Sequence, residues 1–207
     1  MITSGQMREL EKRALAKDIS LSELMERAGQ GVFKAICERF DLAHKHIVFF
    51  CGVGNNGGDG LVAARYFCSH YPVLVLLFGD KDKMSDEAWE NYEKIKKQVN
   101  VLNITSAEEL SKFHFQPHLQ LVLVDALIGL GIKGPLHEPF PAAIDFYNSL
   151  SGIKVSVDMP SGMHPDTGEV LGKSCVFDWV VTFHDIKAGL EKFAEKTQMV
   201  DIGLPKK

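Results

Sequence analysis

Residues 51–60, with the sequence CGVGNNGGDG, contain five glycines, two asparagines and one aspartate. The apolar run Ile47–Phe50 before this stretch predicts a buried strand, and Leu61 and Ala64 after it have the spacing of a helix. The order strand, glycine loop, helix is typical of sites where backbone N–H groups and a helix N-terminus face an anion. Glycine has no Cβ, so the backbone can take positive φ and approach a ligand closely. The stretch therefore predicts a ligand-binding strand–loop–helix unit of an α/β fold.

The glycine spacing distinguishes this stretch from two common nucleotide-binding motifs. It is not the G-x-G-x-x-G of dinucleotide-binding folds, and it lacks the Gly-Lys-Ser/Thr that ends a P-loop. A solvated turn between a strand and a helix has a similar composition. Taken alone, the stretch leaves both a binding site and a plain turn open.

The composition is that of one globular domain in a reducing compartment. Of the 207 residues, 45% are hydrophobic and 24% charged, and no segment has the composition of a linker. The net charge of −4 disfavours nucleic acid as the main partner. The four cysteines form no C-x-x-C pair, which disfavours a zinc site and a disulfide framework. The longest apolar run, Val73–Phe78, is too short to span a bilayer, so we expect a cytoplasmic protein with no membrane partner.

Predicted strands and helices alternate along most of the chain. Such alternation favours a three-layer αβα, Rossmann-like α/β fold with a mostly parallel, doubly wound sheet. If the first five strands have the order 3-2-1-4-5, the winding reverses between strands one and four, where ligands of such sheets bind. The predicted strands are 47–50, 73–78, 101–104, 121–125, 154–158, 178–183 and 198–202; the predicted helices are 6–17, one that opens at Ser20, 61–68, 85–99, one that opens at Thr105 or Ser106, and 141–150.

Three segments that are distant in sequence meet at one edge of this predicted sheet. Asn55, Asn56 and Asp59 follow strand one, residues 125–135 follow strand four, and residues 158–162 follow strand five. Each segment has polar groups that are unfavourable to bury unless they are paired or used. A strand-terminal Asp is often only a cap or a loop hydrogen-bonder. The coincidence of three such segments at one switch point favours a ligand site there.

Other candidate residues have weaker support. The eight histidines lack the spacing of metal ligands, and no serine or threonine has an obvious His partner for a hydrolase. Lys187 fits a phosphate contact and a solvated surface lysine equally well.

Four segments in a fixed order resemble a known family. They are Leu24–Gly29, Gly52–Gly60, Asp125–Gly129 and Val157–Gly162. Together they are similar to the YjeF N-terminal domain family, the NAD(P)H-hydrate epimerases. The similarity extends over nearly the whole chain, because the closing segments 181–183 and 201–203 also match.

The resemblance implies an isomerase of metabolite repair. Members of this family interconvert the R and S epimers of hydrated NADH and NADPH (NADHX and NADPHX), which carry a hydroxyl at C6 of the nicotinamide ring. An ADP- or ATP-dependent dehydratase then acts on the S form only. Family members usually form homodimers, and in many organisms the two enzymes are fused. Since this chain stops after the epimerase-like part, the resemblance implies a single domain over 1–207, no C-terminal dehydratase domain, and a dehydratase partner on a separate chain.

The resemblance also assigns residues to the site. It implies one potassium ion per subunit, with the ligands Asn56, Asp125 and Ser161. His184-Asp185-Ile186 replaces a glycine-containing turn expected before Lys187, which leaves the role of Lys187 open. The implied substrate-binding residues are Asn55, Asn56, Gly57, Gly58 and Asp59, then Gly129, Leu130, Gly131, Ile132, Lys133, Gly134 and Pro135 for the phosphates, and Asp158.

The chemistry of epimerisation suggests a role for one carboxylate. Protonation of the C6 hydroxyl lets the ring nitrogen expel water, and water that returns to the other face inverts the carbon, so a proton donor and acceptor are needed. Asp125 beside a cation is expected to stay ionised. Asp158, farther from the ion, is the hypothesised catalytic residue.

Two other functions stay open at this point. A catalytically silent Rossmann-like binding or scaffold module would keep the fold without the chemistry, although Asp59, Asp125 and Asp158 are all present. An NAD-dependent dehydrogenase would need a G-x-G-x-x-G loop, which the sequence does not have.

Overall fold

The computed structural model describes residues 1–132 and 134–205. It contains a seven-stranded sheet with the order β3-β2-β1-β4-β5-β6-β7. Every strand pair in it is parallel, so the predicted doubly wound α/β sheet is confirmed. The strands are β1 Lys45–Gly52, β2 Val73–Phe78, β3 Asn100–Ile104, β4 Gln120–Ala126, β5 Ile153–Val157, β6 Trp179–Phe183 and β7 Thr197–Val200.

Helices cover both faces of the sheet. Six α-helices are α1 Ser4–Leu15, α2 Leu21–Arg39, α3 Asn55–Phe67, α4 Asp86–Ile95, α5 Ala107–Ser111 and α6 Phe140–Ser149; two 3-10 segments are Lys81–Lys83 and Ala188–Lys196. No helix in the described part of the chain is long and apolar enough to cross a membrane.

Alternation along β1 divides the core into two layers. Ile47 and Phe49 belong to the cluster that α1, α2, α3 and α4 cover, whereas Val48 and Phe50 belong to the cluster that α5 and α6 cover. All four side chains are buried, as expected for a strand with helices on both faces. The three layers are therefore helix, sheet and helix.

Two predicted helix starts are confirmed by their caps. The Ser20 hydroxyl accepts a hydrogen bond from Glu23 N at 3.1 Å, at the start of α2. Of the two possible caps of α5, Ser106 is the one used, because its hydroxyl accepts from Glu109 N at 3.2 Å. The predicted helix over 85–99 is too long, since α4 ends at Ile95.

The glycine stretch is not the loop that the sequence predicts. β1 ends at Gly52 and α3 already begins at Asn55, so only Val53 and Gly54 connect them. A Cβ on Gly57 would lie 1.8 Å from the carbonyl oxygen of Gly52, so this turn of the helix packs directly on the strand end. The glycines permit close approach of helix and strand, which composition alone does not separate from a flexible loop.

Gly29 and Gly31 inside α2 have a packing role. A Cβ on Gly29 would lie 2.4 Å from the Val62 side chain of α3, and one on Gly31 would lie 2.2 Å from Val200 of β7. Both glycines therefore let α2 lie close to its neighbours.

Candidate active site

A cavity of about 480 Å³ lies at the carboxyl edge of the sheet, where the winding reverses between β1 and β4. Helices α1 and α2, the start of α3 and the loops after β4 and β5 line it. Ligands of doubly wound sheets bind in this crevice. The polar side chains that line it are Arg8, Glu11, Asn55, Asn56, Asp59 and Asp158.

Asp125 ties together two of the loops beside the cavity. It is fully buried at the end of β4, in register with Ser156 of β5. Its Oδ2 accepts hydrogen bonds from Ser156 Oγ at 3.0 Å and Ser161 N at 2.8 Å, and its Oδ1 accepts from Ser161 Oγ at 2.5 Å and Leu127 N at 3.3 Å. Burial raises the pKa of Asp125, and these hydrogen bonds oppose the rise. The carboxylate therefore joins the loops after β4 and β5 into one unit.

Asn56 brings the start of α3 to the loop after β4. A Cβ on Gly129 would lie 2.9 Å from Asn56 Oδ1, so the loop after β4 passes close to this amide. Asn56 Nδ2 is buried and has no hydrogen-bond partner among the residues that the structure describes. Ser161 Oγ accepts from Ile128 N at 2.9 Å and lies 3.2 Å from Ile128 O. Asn56, Ser161 and Asp125 thus surround the start of one loop.

The oxygen atoms at this point fit a hard monovalent cation. Amide, hydroxyl, carboxylate and carbonyl oxygens are the ligands that such ions prefer. The unpartnered Nδ2 of Asn56 is a hydrogen-bond donor, so it fits an acceptor such as a ligand oxygen at this corner and is not itself a cation ligand. Within the described ranges, no group of three or more His, Cys, Asp and Glu side chains could hold a metal ion, so a transition-metal site of that kind is not formed.

Asp158 is fixed at the cavity by one of its two carboxylate oxygens. It has a φ of 63° at the first position after β5, a left-handed conformation that is uncommon for a residue other than glycine. Its Oδ1 lies 2.5 Å from Lys187 Nζ and accepts from Thr182 Oγ1 at 3.1 Å and Phe183 N at 3.3 Å. Oδ2 accepts no hydrogen bond from the described residues. One oxygen thus holds the side chain in place and the other is left for a ligand.

Lys187 is a buried ion-pair partner rather than a solvated lysine. Its side chain is fully buried, and Nζ also donates to Phe183 O at 2.7 Å. The turn before it has His184 at a φ of 65°, so a left-handed residue is present there even though the expected glycine is not. Main-chain hydrogen bonds join Ile2 to Ile186 and Ala188 on either side of the lysine. Tertiary packing therefore places Lys187, which a single sequence does not reveal.

Glu11, Asp59 and Asp158 form a group of carboxyls at the cavity, here called the carboxylate wall. Asp59 accepts no hydrogen bond within the described part of the chain. Burial, and next the negative charges of Asp158 and Glu11, raise the pKa of Asp59 well above its ordinary value, against the pull of Lys187. Burial and the charge of Asp158 also raise the pKa of Glu11, against Lys187 and Arg8. The wall thus combines one ion-paired carboxylate with two carboxyls whose pKa values are raised.

The structure brings only part of the predicted site to the cavity. Gly57 and Gly58 face Gly52 and Met25 instead, and Asp125 and Ser161 lie behind the lining. Ile132, Gly134 and Pro135 are not among the lining residues, and Lys133 lies outside the described residues. The predicted residues that do line the cavity are Asn55, Asn56, Asp59, Gly129, Leu130, Gly131 and Asp158.

Sequence reasoning missed the contribution of α1 and α2. Met7, Arg8 and Glu11 share one face of α1 at helical spacing, and this face closes the cavity. The spacing was visible in the sequence, but an amphipathic helix with charged residues is more often a partly solvated surface helix. The direction of that face follows only from the hydrogen bonds between Ile2, just before α1, and the residues on either side of Lys187.

The fold and the cavity define a Rossmann-like α/β protein with a ligand site at its switch point. The family model of the YjeF-related protein N-terminus matches residues 21–189. The chain belongs to this family.

Named relatives match almost the whole chain. The NAD(P)H-hydrate epimerase of Nitrosopumilus maritimus is 35% identical over 215 residues, which cover 99% of this chain and 95% of that protein. The NAD(P)H-hydrate epimerase of Cenarchaeum symbiosum is 32% identical with the same two coverages. The bifunctional NAD(P)H-hydrate repair enzyme of Pyrobaculum aerophilum is 35% identical, and the match covers 99% of this chain and 42% of that larger protein.

A solved structure has the same fold. The crystal structure of the yeast protein ynu0 superposes with a TM-score of 0.83 at 27% sequence identity, and the match covers 96% of this chain and 86% of the yeast chain. The architecture found here is therefore that of a known structure.

Proposed function

We propose that this protein is an NAD(P)H-hydrate epimerase, an isomerase that interconverts the R and S forms of NADHX and NADPHX. Two relatives that carry this name match nearly the full chain. The observation that carries the proposal is Asp158, a carboxylate with one oxygen held by three donors and the other left for a ligand, in a cavity at the switch point.

The cavity has the features that a dinucleotide needs. Gly54 and Asn55 line it at the start of α3, and the N-cap Gly54 makes no side-chain cap hydrogen bond, so backbone N–H groups of the first turn are available to a pyrophosphate. Arg8 adds a positive charge at the rim. Leu24 and Met25 add an apolar surface on which a nicotinamide ring can pack.

The reaction that we propose needs only a proton and a water molecule. Protonation of the C6 hydroxyl breaks the C6–O bond, water leaves, and the lone pair of the ring nitrogen forms a C=N double bond. Water then adds to the opposite face of C6, the C=N pair returns to nitrogen, and the extra proton is lost. Asp158, which lines the cavity and has one carboxylate oxygen without a protein donor among the described residues, accepts this proton. Asp125 lies behind the cavity lining and takes no part in proton transfer.

We also propose one potassium ion per subunit, held by Asn56, Asp125 and Ser161. The contact of Ser161 Oγ with Asp125 Oδ1 and the position of Asn56 Oδ1 beside Gly129 support this proposal. The ion would supply positive charge at the start of the loop after β4. The residues fit such an ion because all three donors are hard oxygen ligands.

Three expectations extend beyond the single chain. The bifunctional relatives suggest that an S-specific dehydratase removes the product, and we propose that it acts from a separate chain. The homodimer and the cytoplasmic location stay predictions. Light scattering on the purified protein tests whether it is a homodimer. Fractionation of source cells tests whether it is cytoplasmic.

A coupled assay tests the proposed function. Chemically prepared NADHX epimers are mixed with an S-specific dehydratase and its nucleotide, and the return of NADH is recorded with and without this protein. We expect recovery to stall after the S form is consumed, and addition of the protein to restore it. Persistence of the stall while the protein still binds the dinucleotide would favour the silent-module function.

Substitution of Asp158 by Asn in the same assay tests the assigned acceptor. We expect turnover to fall by roughly a hundredfold or more while binding largely survives. Asp82→Asn, at an exposed aspartate that does not line the cavity, is the matched control and should behave as the unmodified protein.

A further inference from the structure

Asp59 and Asp158 line the same cavity but have opposite surroundings. Asp158 Oδ1 faces an ammonium and two further donors, Thr182 Oγ1 and Phe183 N. Asp59, on α3, has no hydrogen-bond donor and no cation within salt-bridge distance among the described residues. Within the described part of the chain, Asp158 is held by three donors and Asp59 by none, and two carboxyls with such different partners are suited to different roles in proton transfer.

The charges around Asp59 come from four elements of the fold. Asp158 after β5 and Glu11 on α1 oppose its ionisation, and Lys187 favours it less strongly. The Cys51 thiol of β1 is held neutral, because burial raises its pKa far above the ordinary value. The charge of Arg8 lowers the pKa of Glu11, less than that of Lys187 does. Burial, and then the charges of Asp158 and Glu11, raise the pKa of Asp59 against the opposing charge of Lys187.

We propose that Asp59 is the proton donor of the epimerisation and that Glu11 is a positioning residue that keeps the proton on Asp59. The proposal rests on the epimerase function proposed above and assigns the half of the chemistry that Asp158 leaves open. Asp59 lies at the cavity with its carboxyl free of protein partners, so a substrate hydroxyl is its available acceptor.

The step balances with two carboxyls and one water. Asp59 transfers its proton to the C6 hydroxyl, the C6–O bond breaks with loss of water, and Asp59 becomes a carboxylate. When water adds to the other face of C6, its proton passes to Asp158. Transfer of that proton from Asp158 to Asp59 restores the starting state, so no oxidant or reductant is needed. The carboxylate wall carries negative charge, and this charge attracts and stabilises the positively charged C=N intermediate.

The position of Glu11 depends on the N-terminal segment. Ile2 N donates to Ile186 O at 2.9 Å, and Ala188 N donates to Ile2 O at 3.0 Å, on both sides of Lys187. The Ser4 hydroxyl donates to Asp166 Oδ2 at 2.9 Å at the first turn of α1. These contacts fix α1 against the loop that supplies the ion-pair partner of Asp158, and so fix Glu11 at the carboxylate wall.

Asp59→Asn tests the donor directly. We expect kcat in the coupled assay to fall by about a hundredfold or more with KM changed by less than about threefold, since one hydrogen-bonding group replaces another of equal size. The unmodified protein is assayed in parallel, so a failure of the epimerase proposal appears as inactivity of both proteins. An active unmodified protein together with an equally active variant would overturn the assignment of Asp59 alone.

Glu11→Gln tests the positioning role through the pH profile. The donor is active when protonated, so activity is present below the pKa of Asp59 and is lost as the pH rises through it. Removal of the negative charge of Glu11 lowers that pKa, so the alkaline limb of kcat/KM should move to lower pH by about half a unit or more. Glu9→Gln is the matched control, because Glu9 is exposed and pairs with Arg13 on the same helix. An unmoved limb in Glu11→Gln would contradict the positioning role.

Infrared spectroscopy provides a readout that does not need turnover. A protonated carboxyl has a carbonyl band that a carboxylate lacks, and the difference spectrum between the unmodified protein and Asp59→Asn at neutral pH should contain it. Its absence would overturn the proposal. If Asp59→Asn does not fold, titration of the same band in the unmodified protein and in Glu11→Gln answers the question, with a lower midpoint expected in Glu11→Gln.

Discussion

The ammonium of Lys187 lies 2.5 Å from Oδ1 of Asp158, and the two side chains are 0% and 8% exposed. Two opposite charges at this depth stabilise the protein only as a pair, because either one alone is a buried and uncompensated charge. The same contact holds Oδ1 of Asp158, a residue that lines the cavity, and leaves Oδ2 without a hydrogen-bond donor from the described residues. The pair therefore links the stability of the fold to the geometry of the proposed reaction.

Lys187→Met tests this linkage. Loss of the ammonium leaves the carboxylate of Asp158 buried without a partner, and we expect the free energy of unfolding to fall by about 3–5 kcal/mol. Urea denaturation followed by circular dichroism measures this change. Lys192→Met removes an exposed lysine from the following 3-10 segment and should have almost no effect. An equally small effect in both variants would show that the pair does not stabilise the fold.

Asp59→Asn should stabilise the protein at neutral pH although it should lower turnover by about a hundredfold or more. The pKa of Asp59 is raised in the folded state, so its contribution to stability is full below its ordinary value of 3.8 and is lost as the pH rises toward the folded-state pKa. Asparagine removes this loss. The gain in Tm over the unmodified protein should grow with pH between acidic and neutral buffer, as measured by calorimetry. A constant difference at all pH values would contradict the raised pKa.

Gly57→Ala tests the packing role of the glycine stretch. The added Cβ would lie 1.8 Å from the carbonyl oxygen of Gly52, which belongs to the backbone of β1 and cannot move away cheaply. We expect a loss of about 2 kcal/mol or more in the free energy of unfolding. In Gly5→Ala the nearest atom outside the local chain lies 4.0 Å away, so alanine should be neutral or stabilising in α1. Equal tolerance of both substitutions would show that α3 does not pack on β1 as found.

Ser161→Ala tests the proposed potassium site. The hydroxyl of Ser161 contacts Asp125 and the backbone of Ile128, so its removal takes away one proposed ligand and loosens another, Asp125. We expect the potassium concentration for half-maximal activity to rise by about tenfold or more. Ser149→Ala, which removes an exposed hydroxyl at the end of α6, is the control. If potassium dependence is unchanged in Ser161→Ala, the ion is bound elsewhere or not at all.

The sheet could be predicted from the sequence because it depends on local signals. Val73–Phe78 and the Leu-Val-Leu-Val run in Leu121–Asp125 are continuous apolar segments, which are typical of strands with helices on both faces. Polar residues at the ends of strands four and five then indicated the edge where the cavity lies. The order 3-2-1-4-5 that right-handed crossovers predict for the first five strands is confirmed.

The rest of the site could not be predicted, because it depends on contacts between distant segments. Glycine composition does not distinguish a loop from a helix that packs on a strand, so the start of α3 was placed after Gly60 instead of at Asn55. Lys187 is buried by the segment around Ile2, which lies at the other end of the chain. Glu11 enters the site for the same reason. A single sequence contains no signal for either contact.

The most direct test of the account is to observe the epimerisation itself, in water enriched in oxygen-18. Purified R-NADHX is incubated with the protein. At successive times the epimers are separated by chromatography, and the oxygen-18 content of each is measured by mass spectrometry. We expect a mixture of R and S to form much faster than in the absence of protein, with the solvent isotope at C6 of the newly formed S epimer. Formation of S at only the uncatalysed rate would contradict the proposed function. Rapid formation of S without the isotope would contradict the loss and return of water on which the roles of Asp59 and Asp158 depend.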